Sequence, residues 1–126
     1  MLGDHDSSAI VAVRDIDRAR AFYRDVLGLT LEDEGEGRAL TFRTGATRLI
    51  VYPSDHAGTN QANAVVFTMK GDLAETVQTL KTRGVAFEHY DLPGLTLNGD
   101  MHEAGPVKLV WFKDPDGNLI HLLEGM

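Results

Sequence analysis

Apolar residues recur along this chain in two rhythms, one of period two and one of period three to four, and the alternation between them marks the elements. Ala9-Ile10-Val11-Ala12-Val13 is a short apolar run containing β-branched residues and predicts a strand. Asp15 follows, a residue suited to capping a helix. Ile16, Ala19, Phe22, Tyr23, Val26 and Leu27 then form one apolar face of an amphipathic helix. Gly28 stands where a helix C-terminal glycine belongs. Leu29, Leu31 and Asp33 alternate as a second strand, and Gly35 and Gly37 mark a turn. Ala39 to Arg43 predicts a third strand, Thr44-Gly45 a turn, and Arg48 to Tyr52 a fourth strand that Pro53 ends.

Ser54 to Ala62, rich in Asp, Gly, Asn and Ser, is a connector, and after it the order returns. Ala64 to Met69 predicts a strand. Asp72 and Glu75 have the spacing of a capping box, and Leu73, Val77 and Leu80 line a helix ending at Gly84. Val85 to Tyr90, Val107 to Phe112 and Leu119 to Leu123 predict strands, the last two divided by the turn Asp114-Pro115-Asp116-Gly117-Asn118. Asp91 to Pro106 reads as a long glycine-containing irregular loop, a type that often carries function. The order β-α-β-β-β thus occurs twice. A local echo supports the repeat: Leu27-Gly28-Leu29-Thr30-Leu31-Glu32 corresponds to Arg83-Gly84-Val85-Ala86-Phe87-Glu88 at an offset of 56 residues.

Composition narrows the function classes. The 126 residues are the length of one domain. The absence of cysteine removes disulfides, thiol chemistry and cysteine-ligated zinc. No apolar run is long enough to cross a bilayer, and Met1 to Ser8 lacks the basic and apolar regions of a signal peptide. The expected location is cytoplasmic, with no membrane partner. A formal net charge of -7 argues against a nucleic-acid partner, which would demand a basic face. The densest charge, Glu32, Asp33, Glu34 and Glu36, is acidic and serves either solubility or attraction of cationic ligands.

Three stretches carry a resemblance. Val13-Arg14-Asp15-Ile16-Asp17-Arg18-Ala19-Arg20-Ala21-Phe22-Tyr23 with Leu27-Gly28 resembles the opening of the first module of the vicinal oxygen chelate superfamily, which includes glyoxalases, bleomycin resistance proteins and extradiol dioxygenases. Leu73 to Val85 is similar to the helix of its second module, and Phe112-Lys113-Asp114-Pro115-Asp116-Gly117-Asn118-Leu119-Ile120 to its closing hairpin. The resemblance implies an α+β fold: a single domain over 1–126 with two βαβββ modules, about 8–53 and 63–126, whose curved mixed sheets surround a cavity. It also implies a homodimer of C2 symmetry, in which the first module of one chain packs against the second module of the other.

Metal-dependent members of that superfamily draw ligands from the first and last strand of each module. Here those positions fall on Ser8, Ile50 (or Tyr52 after a slip of two), Ala64 and His121. Of these only His121 is a good ligand, so the expectation is a metal-free chain without a cofactor. A displaced set drawn from His5, His102, Glu103 and His121 is the alternative. By alternation His121 shares a face with Leu119 and Leu123, and the resemblance places that face on the cavity. His121 is then a hydrogen-bonding group or general base, or else a hydrogen-bonded core residue. Tyr52, Phe67, His102 and Trp111 join it in an expected aromatic, partly polar pocket for a small molecule; for each of them plain core packing is the competing reading.

Three functions follow, in order of preference. The first is a metal-free small-molecule binder of the drug-sequestering kind. The second is a lyase, isomerase or dioxygenase using relocated metal ligands, or a metal-free catalyst using His121 or His102. The third is a fold retained as a partner-binding module. Fold alone does not decide among them.

Overall fold

The computed structural model describes residues 1–35 and 39–125. Glu36 and Gly37, which belong to the expected acidic run and turn, lie outside the described residues, as does Met126, the last residue of the expected second module. The protein is α+β, with two mixed sheets and two compact units, Met1–Thr59 and Asn60–Met126. The boundary falls in the polar connector.

In the N-terminal unit the order is β1 (Ala9–Val13), α1 (Ile16–Ala21), β2 (Thr30–Asp33), β3 (Leu40–Thr44) and β4 (Thr47–Pro53). The sheet order is β1-β4-β3-β2, with β1 parallel to β4 and the other pairs antiparallel. Asp15 caps α1 as expected: one carboxylate oxygen accepts from the N–H groups of Asp17 and Arg18 at 3.0 and 3.1 Å. The helix is not α-helical to Leu27, however. Residues Phe22–Val26 widen into a π turn, closed by Leu27 N–H donating to the Phe22 carbonyl at 3.0 Å. Phe22 meets Tyr23 edge-on at 5.2 Å, and Tyr23 lies 5.9 Å from Phe42 between ring centres. Tyr23 is buried with Val11, Val13, Ala19, Leu40, Phe42, Leu49 and Val51, so one face of the sheet holds this core. Thr41, Arg43, Arg48, Ile50 and Tyr52 alternate with core residues and therefore occupy the other face.

The C-terminal unit runs β5 (Asn63–Thr68), α2 (Leu73–Thr82), β6 (Phe87–Glu88), β7 (Thr96–Asn98), β8 (Met101–Ala104), β9 (Val107–Lys113) and β10 (Leu119–Glu124). Its sheet order is β5-β10-β9-β8-β7, with β6 also paired to β9. Again the first and last strands, β5 and β10, are parallel. Leu73, Val77 and Leu80 of α2 are buried, as are Val110, Phe112, Ile120 and Leu122 of the sheet. The expected Asp72 capping box does not form, since Asp72 makes no side-chain cap bond. Glu124 at the end of β10 accepts from Leu73 N–H at 3.0 Å instead, placing an anion at the positive end of the helix from across the fold.

Two further expectations are corrected here. The strand expected over Val85 to Tyr90 shrinks to Phe87–Glu88, because β9 shares one edge between two partners: Phe112 and Trp111 pair with β6, while Leu109, Lys108 and Val107 pair with β8. The stretch expected to be an irregular loop contains the β7–β8 hairpin, turning at Gly99-Asp100 with Gly99 at φ 62°. Its tip is tied down by Asp100, which meets Lys81 Nζ at 2.9 Å and His89 Nε2 at 2.8 Å. Those two neighbours, His89 first, hold the Asp100 carboxyl below its ordinary value.

The Asp114–Asn118 turn is built around one buried carboxylate. Asp114 Oδ1 accepts from the N–H groups of Asp116 and Asn118 at 2.9 and 2.8 Å, Oδ2 accepts from Asn118 Nδ2 at 2.8 Å, and Gly117 supplies φ 91°. Asp114→Ala removes these bonds from a buried turn. It is expected to lower stability by about 2–3 kcal/mol in urea denaturation, whereas Asp17→Ala on the exposed side of α1 stays within about 0.5 kcal/mol.

Candidate functional site

Register alone brings four side chains into one row across the C-terminal sheet. Glu88 on β6 is opposite Trp111 on β9, Trp111 is opposite His121 on β10, and His121 is aligned with Val66 on β5. Aligned residues of neighbouring strands share a face, and this face is the one that α2 does not cover. Phe67, expected in the pocket, is aligned with Leu122 and so belongs to the helix-covered face. The reason is the period of two: Phe67 is one residue removed from Val66, the position that shares the face of His121. Tyr52 is half-exposed on β4 of the N-terminal unit.

His121 is fixed from two sides. Its ring lies parallel to the Trp111 indole, 4.5 Å between centres and 15° between planes. Its Nδ1–H donates to the Val110 carbonyl at 3.1 Å, which assigns the proton to Nδ1 and leaves Nε2 as a bare acceptor. Nε2 has no hydrogen-bond partner among the described residues. Burial pushes the His121 pKa below its ordinary value and His102 pushes the same way, against the pull of the Val110 carbonyl. The side chain is therefore a neutral imidazole near neutral pH, with one nitrogen committed to the fold and one uncommitted. It is 8% exposed, as is Trp111.

His102 differs in what becomes of its second nitrogen. It was expected in a loop, but it sits on β8, fully buried. Nδ1–H donates to the Leu109 carbonyl at 3.2 Å and Nε2 accepts from the Tyr90 backbone N–H at 2.9 Å. Both nitrogens are committed to backbone groups, so His102 is a structural bracket between β8, β9 and the residues after β6. Its ring stands edge-on to Trp111 at 4.9 Å, and Tyr90 does the same at 5.5 Å. Trp111 Nε1 donates to Asn63 Oδ1 at 3.1 Å. The aromatic group on this face is thus Trp111 surrounded by His121, His102 and Tyr90. Tyr90 was not among the expected site residues, because it follows β6 in irregular structure, where alternation gives no face. Burial, and secondarily the charge of Glu88, raises the Tyr90 phenol above its ordinary pKa.

A divalent metal does not fit the positions that the resemblance assigns to it. Ser8, Ile50 and Ala64 offer no imidazole or carboxylate, and one imidazole alone does not hold such an ion. The displaced set fares no better. His102 has no free nitrogen, and Glu103, its neighbour on β8, faces the other side of the strand opposite Lys108. His5 belongs to the N-terminal unit. Among the described residues no three histidines, aspartates or glutamates stand together as a metal site.

The acidic run is also not a free anionic surface. Glu32 pairs with Arg48, Glu34 lies 2.8 Å from Arg20 Nε, and Asp33 accepts from Gly35 N–H at 3.0 Å. No helix among the described residues is long and apolar enough to cross a membrane.

Comparison with known proteins places these features in a lineage. Residues 7–122 match the model of the Glyoxalase/Bleomycin resistance protein/Dioxygenase superfamily. Among solved structures, lactoylglutathione lyase from Agrobacterium tumefaciens is 21% identical, with a TM-score of 0.71 over 96% of this chain and 93% of that one. The fosfomycin resistance protein FosX from Listeria monocytogenes is 14% identical, with a TM-score of 0.72 over 97% and 93%. An integron cassette protein from the mobile metagenome of the Halifax Harbour sewage outfall is 14% identical, with a TM-score of 0.69 over 94% and 96%. At these identities the likeness concerns the fold.

Because burial lowers the His121 pKa, the unfolded chain binds more protons than the native state just below the ordinary imidazole value. The stabilising contribution is complete above that value and is lost as pH falls through the lower native value. Wild-type protein is expected to lose more stability than His121→Gln between about pH 7.5 and pH 5.5, measured by urea midpoint at each pH. Equal losses in the two proteins would show that His121 is not desolvated. His102→Phe removes the buried bonds to the Tyr90 N–H and the Leu109 carbonyl, and is expected to cost about 2–4 kcal/mol in urea denaturation.

Proposed function

The chain belongs to the Glyoxalase/Bleomycin resistance protein/Dioxygenase superfamily, and from that premise we propose that it is a metal-free small-molecule binding protein of the drug-sequestering kind. The observation that carries this reading is the state of His121: a neutral imidazole stacked on Trp111, with Nδ1 anchored to Val110 and Nε2 unengaged. At the other three inherited ligand positions the chain has Ser8, Ile50 and Ala64, so the one donor that remains is better suited to accept a hydrogen bond from an organic ligand than to hold a metal. Trp111, Tyr90 and the edge of His121 favour a ligand with an aromatic or otherwise flat apolar part and an N–H or O–H donor. The structural likeness to a fosfomycin resistance protein is compatible with this class without naming the ligand.

A second reading rests on the same nitrogen. A desolvated, neutral imidazole with a bare Nε2 is also equipped to take a proton from a bound substrate, which would make the protein a metal-free catalyst. The two readings part on what happens to the ligand. We also propose that the chain works as a homodimer. Ile10 and Tyr52 in the N-terminal unit and Val66 in the C-terminal unit are apolar or aromatic side chains left 59%, 38% and 53% exposed on strands, which supports their being covered by a second copy.

The test uses an internal reporter. Trp111 is the only tryptophan in the chain, so its fluorescence reads this face alone. Titration with small drug-like compounds, bleomycin among them, in the presence of a chelator is expected to give a saturable change. His121→Ala should weaken binding by roughly tenfold, the loss of one good hydrogen bond. The ligand should be recovered chemically unchanged; a converted product would replace the binder with the catalyst. A stoichiometric transition metal in untagged protein, with Tm falling on chelation, would overturn the metal-free reading altogether. Sedimentation is expected to give twice the chain mass.

A further inference from the structure

The chain holds four asparagines, Asn60, Asn63, Asn98 and Asn118, and the fold commits the side-chain amides of three. Asn60 Oδ1 accepts from Ala62 N–H at 3.0 Å, Asn63 Oδ1 accepts from Trp111 Nε1 at 3.1 Å, and Asn118 Nδ2 donates to Asp114 Oδ2 at 2.8 Å. Asn98 differs. Its side chain is exposed and has no hydrogen-bond partner among the described residues. It is also the one asparagine followed by glycine.

Asn98 ends β7 and pairs with Met101 across the two-residue turn Gly99-Asp100. The Gly99 N–H makes no hydrogen bond among the described residues, and a Cβ added to Gly99 would meet nothing within 4 Å. The backbone nitrogen next to the free amide is thus uncommitted, and no side chain at position 99 crowds it. The ladder holds Asn98 extended, with its Cγ turned from that nitrogen. But β7 is an edge strand whose three residues are all exposed, and among the described residues β8 alone pairs with it. The tie from Asp100 to Lys81 and His89 restrains the β8 side of the turn and engages neither Asn98 nor Gly99. Peeling of so short an edge is a low-cost local opening, and it frees the rotation that brings nitrogen and Cγ together.

Asp116-Gly117 is the contrasting dipeptide, an acid before glycine in a second turn. There the Gly117 N–H donates to the Asp114 carbonyl at 3.0 Å, Asp116 Oδ2 is buried, and the buried Asp114 carboxylate organises the whole turn. The attacking nitrogen is spent.

We propose that Asn98-Gly99 is a site of spontaneous covalent modification, at which the hairpin tip converts its own asparagine to aspartate and isoaspartate through a cyclic imide. Gly99 N loses its proton to hydroxide and attacks Asn98 Cγ. The bond from Cγ to the side-chain nitrogen breaks, and ammonia leaves. Water then opens the imide at one carbonyl to give aspartate or at the other to give isoaspartate. The sum is amide plus water to carboxylate plus ammonium, with nothing oxidised or reduced. Isoaspartate routes the main chain through the former side-chain carbon. It lengthens a two-residue turn and disrupts the pairing of residue 98 with Met101. Either product adds a negative charge two residues from Asp100, on the hairpin that carries His102. The site is independent of the His121 reading.

The experiment incubates the full chain at neutral and mildly alkaline pH, folded and in guanidinium, and maps tryptic peptides by mass. Cleavage after Arg83 and Lys108 isolates Asn98 from the other three asparagines and from Asp116-Gly117. In the folded chain this peptide is expected to gain one mass unit at a rate no more than several-fold below that of the unfolded chain. The rate should rise with pH, isoaspartate should be present in the product, and the peptides holding Asn60, Asn63 and Asn118 should stay unchanged. Asn98→Gln, on an exposed position that leaves the fold intact, should remove the reaction, because the longer side chain closes a less favourable ring. A folded chain that stays unmodified at Asn98 while the unfolded chain reacts would show that the ladder protects the site and would overturn the proposal. So would equal rates in all three peptides, isoaspartate forming first at Asp116, or a mass gain that survives Asn98→Gln.

Discussion

Parallel pairing of the first and last strand in each unit, β1 with β4 and β5 with β10, is the constraint on which the rest depends. A parallel pair needs a crossover, and in both units a helix follows the first strand, its apolar face buried in the unit's core. Once one face is covered, alternation decides every other side chain. Val11, Val13, Leu49 and Val51 go inward in the first unit, Val110, Phe112, Ile120 and Leu122 in the second. The residues between them, Arg48, Tyr52, Trp111 and His121, are left to the opposite faces, and the chemistry of the candidate site sits there.

On that second sheet the difference between structure and function is a matter of which polar atoms the fold consumes. His102 and His121 are both buried, and both adjoin the same indole. His102 gives both nitrogens to backbone groups, the Leu109 carbonyl and the Tyr90 N–H. His121 gives one to Val110 and keeps one. The same residue type in the same cluster is therefore a bracket in one case and a candidate reactive group in the other. The stack on Trp111 orients His121, and its desolvation keeps it neutral.

Charge follows the same logic on the first sheet. Of the acidic run, Glu32 pairs with Arg48 and Glu34 with Arg20, while Asp33 is held by a turn N–H that leaves its charge in place. A net charge of -7 describes the chain, while the sign of a site depends on which pairs cancel.

The sequence by itself determined the β-α-β-β-β order of the first unit, the opening strand, helix and closing strand pair of the second, the helix-ending Gly28 and Gly84 at φ 75° and 91°, the Asp15 cap and the Asp114–Asn118 turn, because each rests on spacing or backbone chemistry within a few residues. Alternation placed His121 with Leu119 and Leu123, but that Trp111 shares its face rests on the β9–β10 register. The β7–β8 hairpin was legible in part: Asn98-Gly99 is a turn signal, but the strands around it are too short to stand out from loop. Only tertiary structure decided the rest. That Glu124 and not Asp72 caps α2, that Phe67 shares the face of Leu122, and that His102 is spent while His121 is not all depend on register between strands distant in sequence. A shift of one residue in that register would reverse each outcome without changing any local propensity.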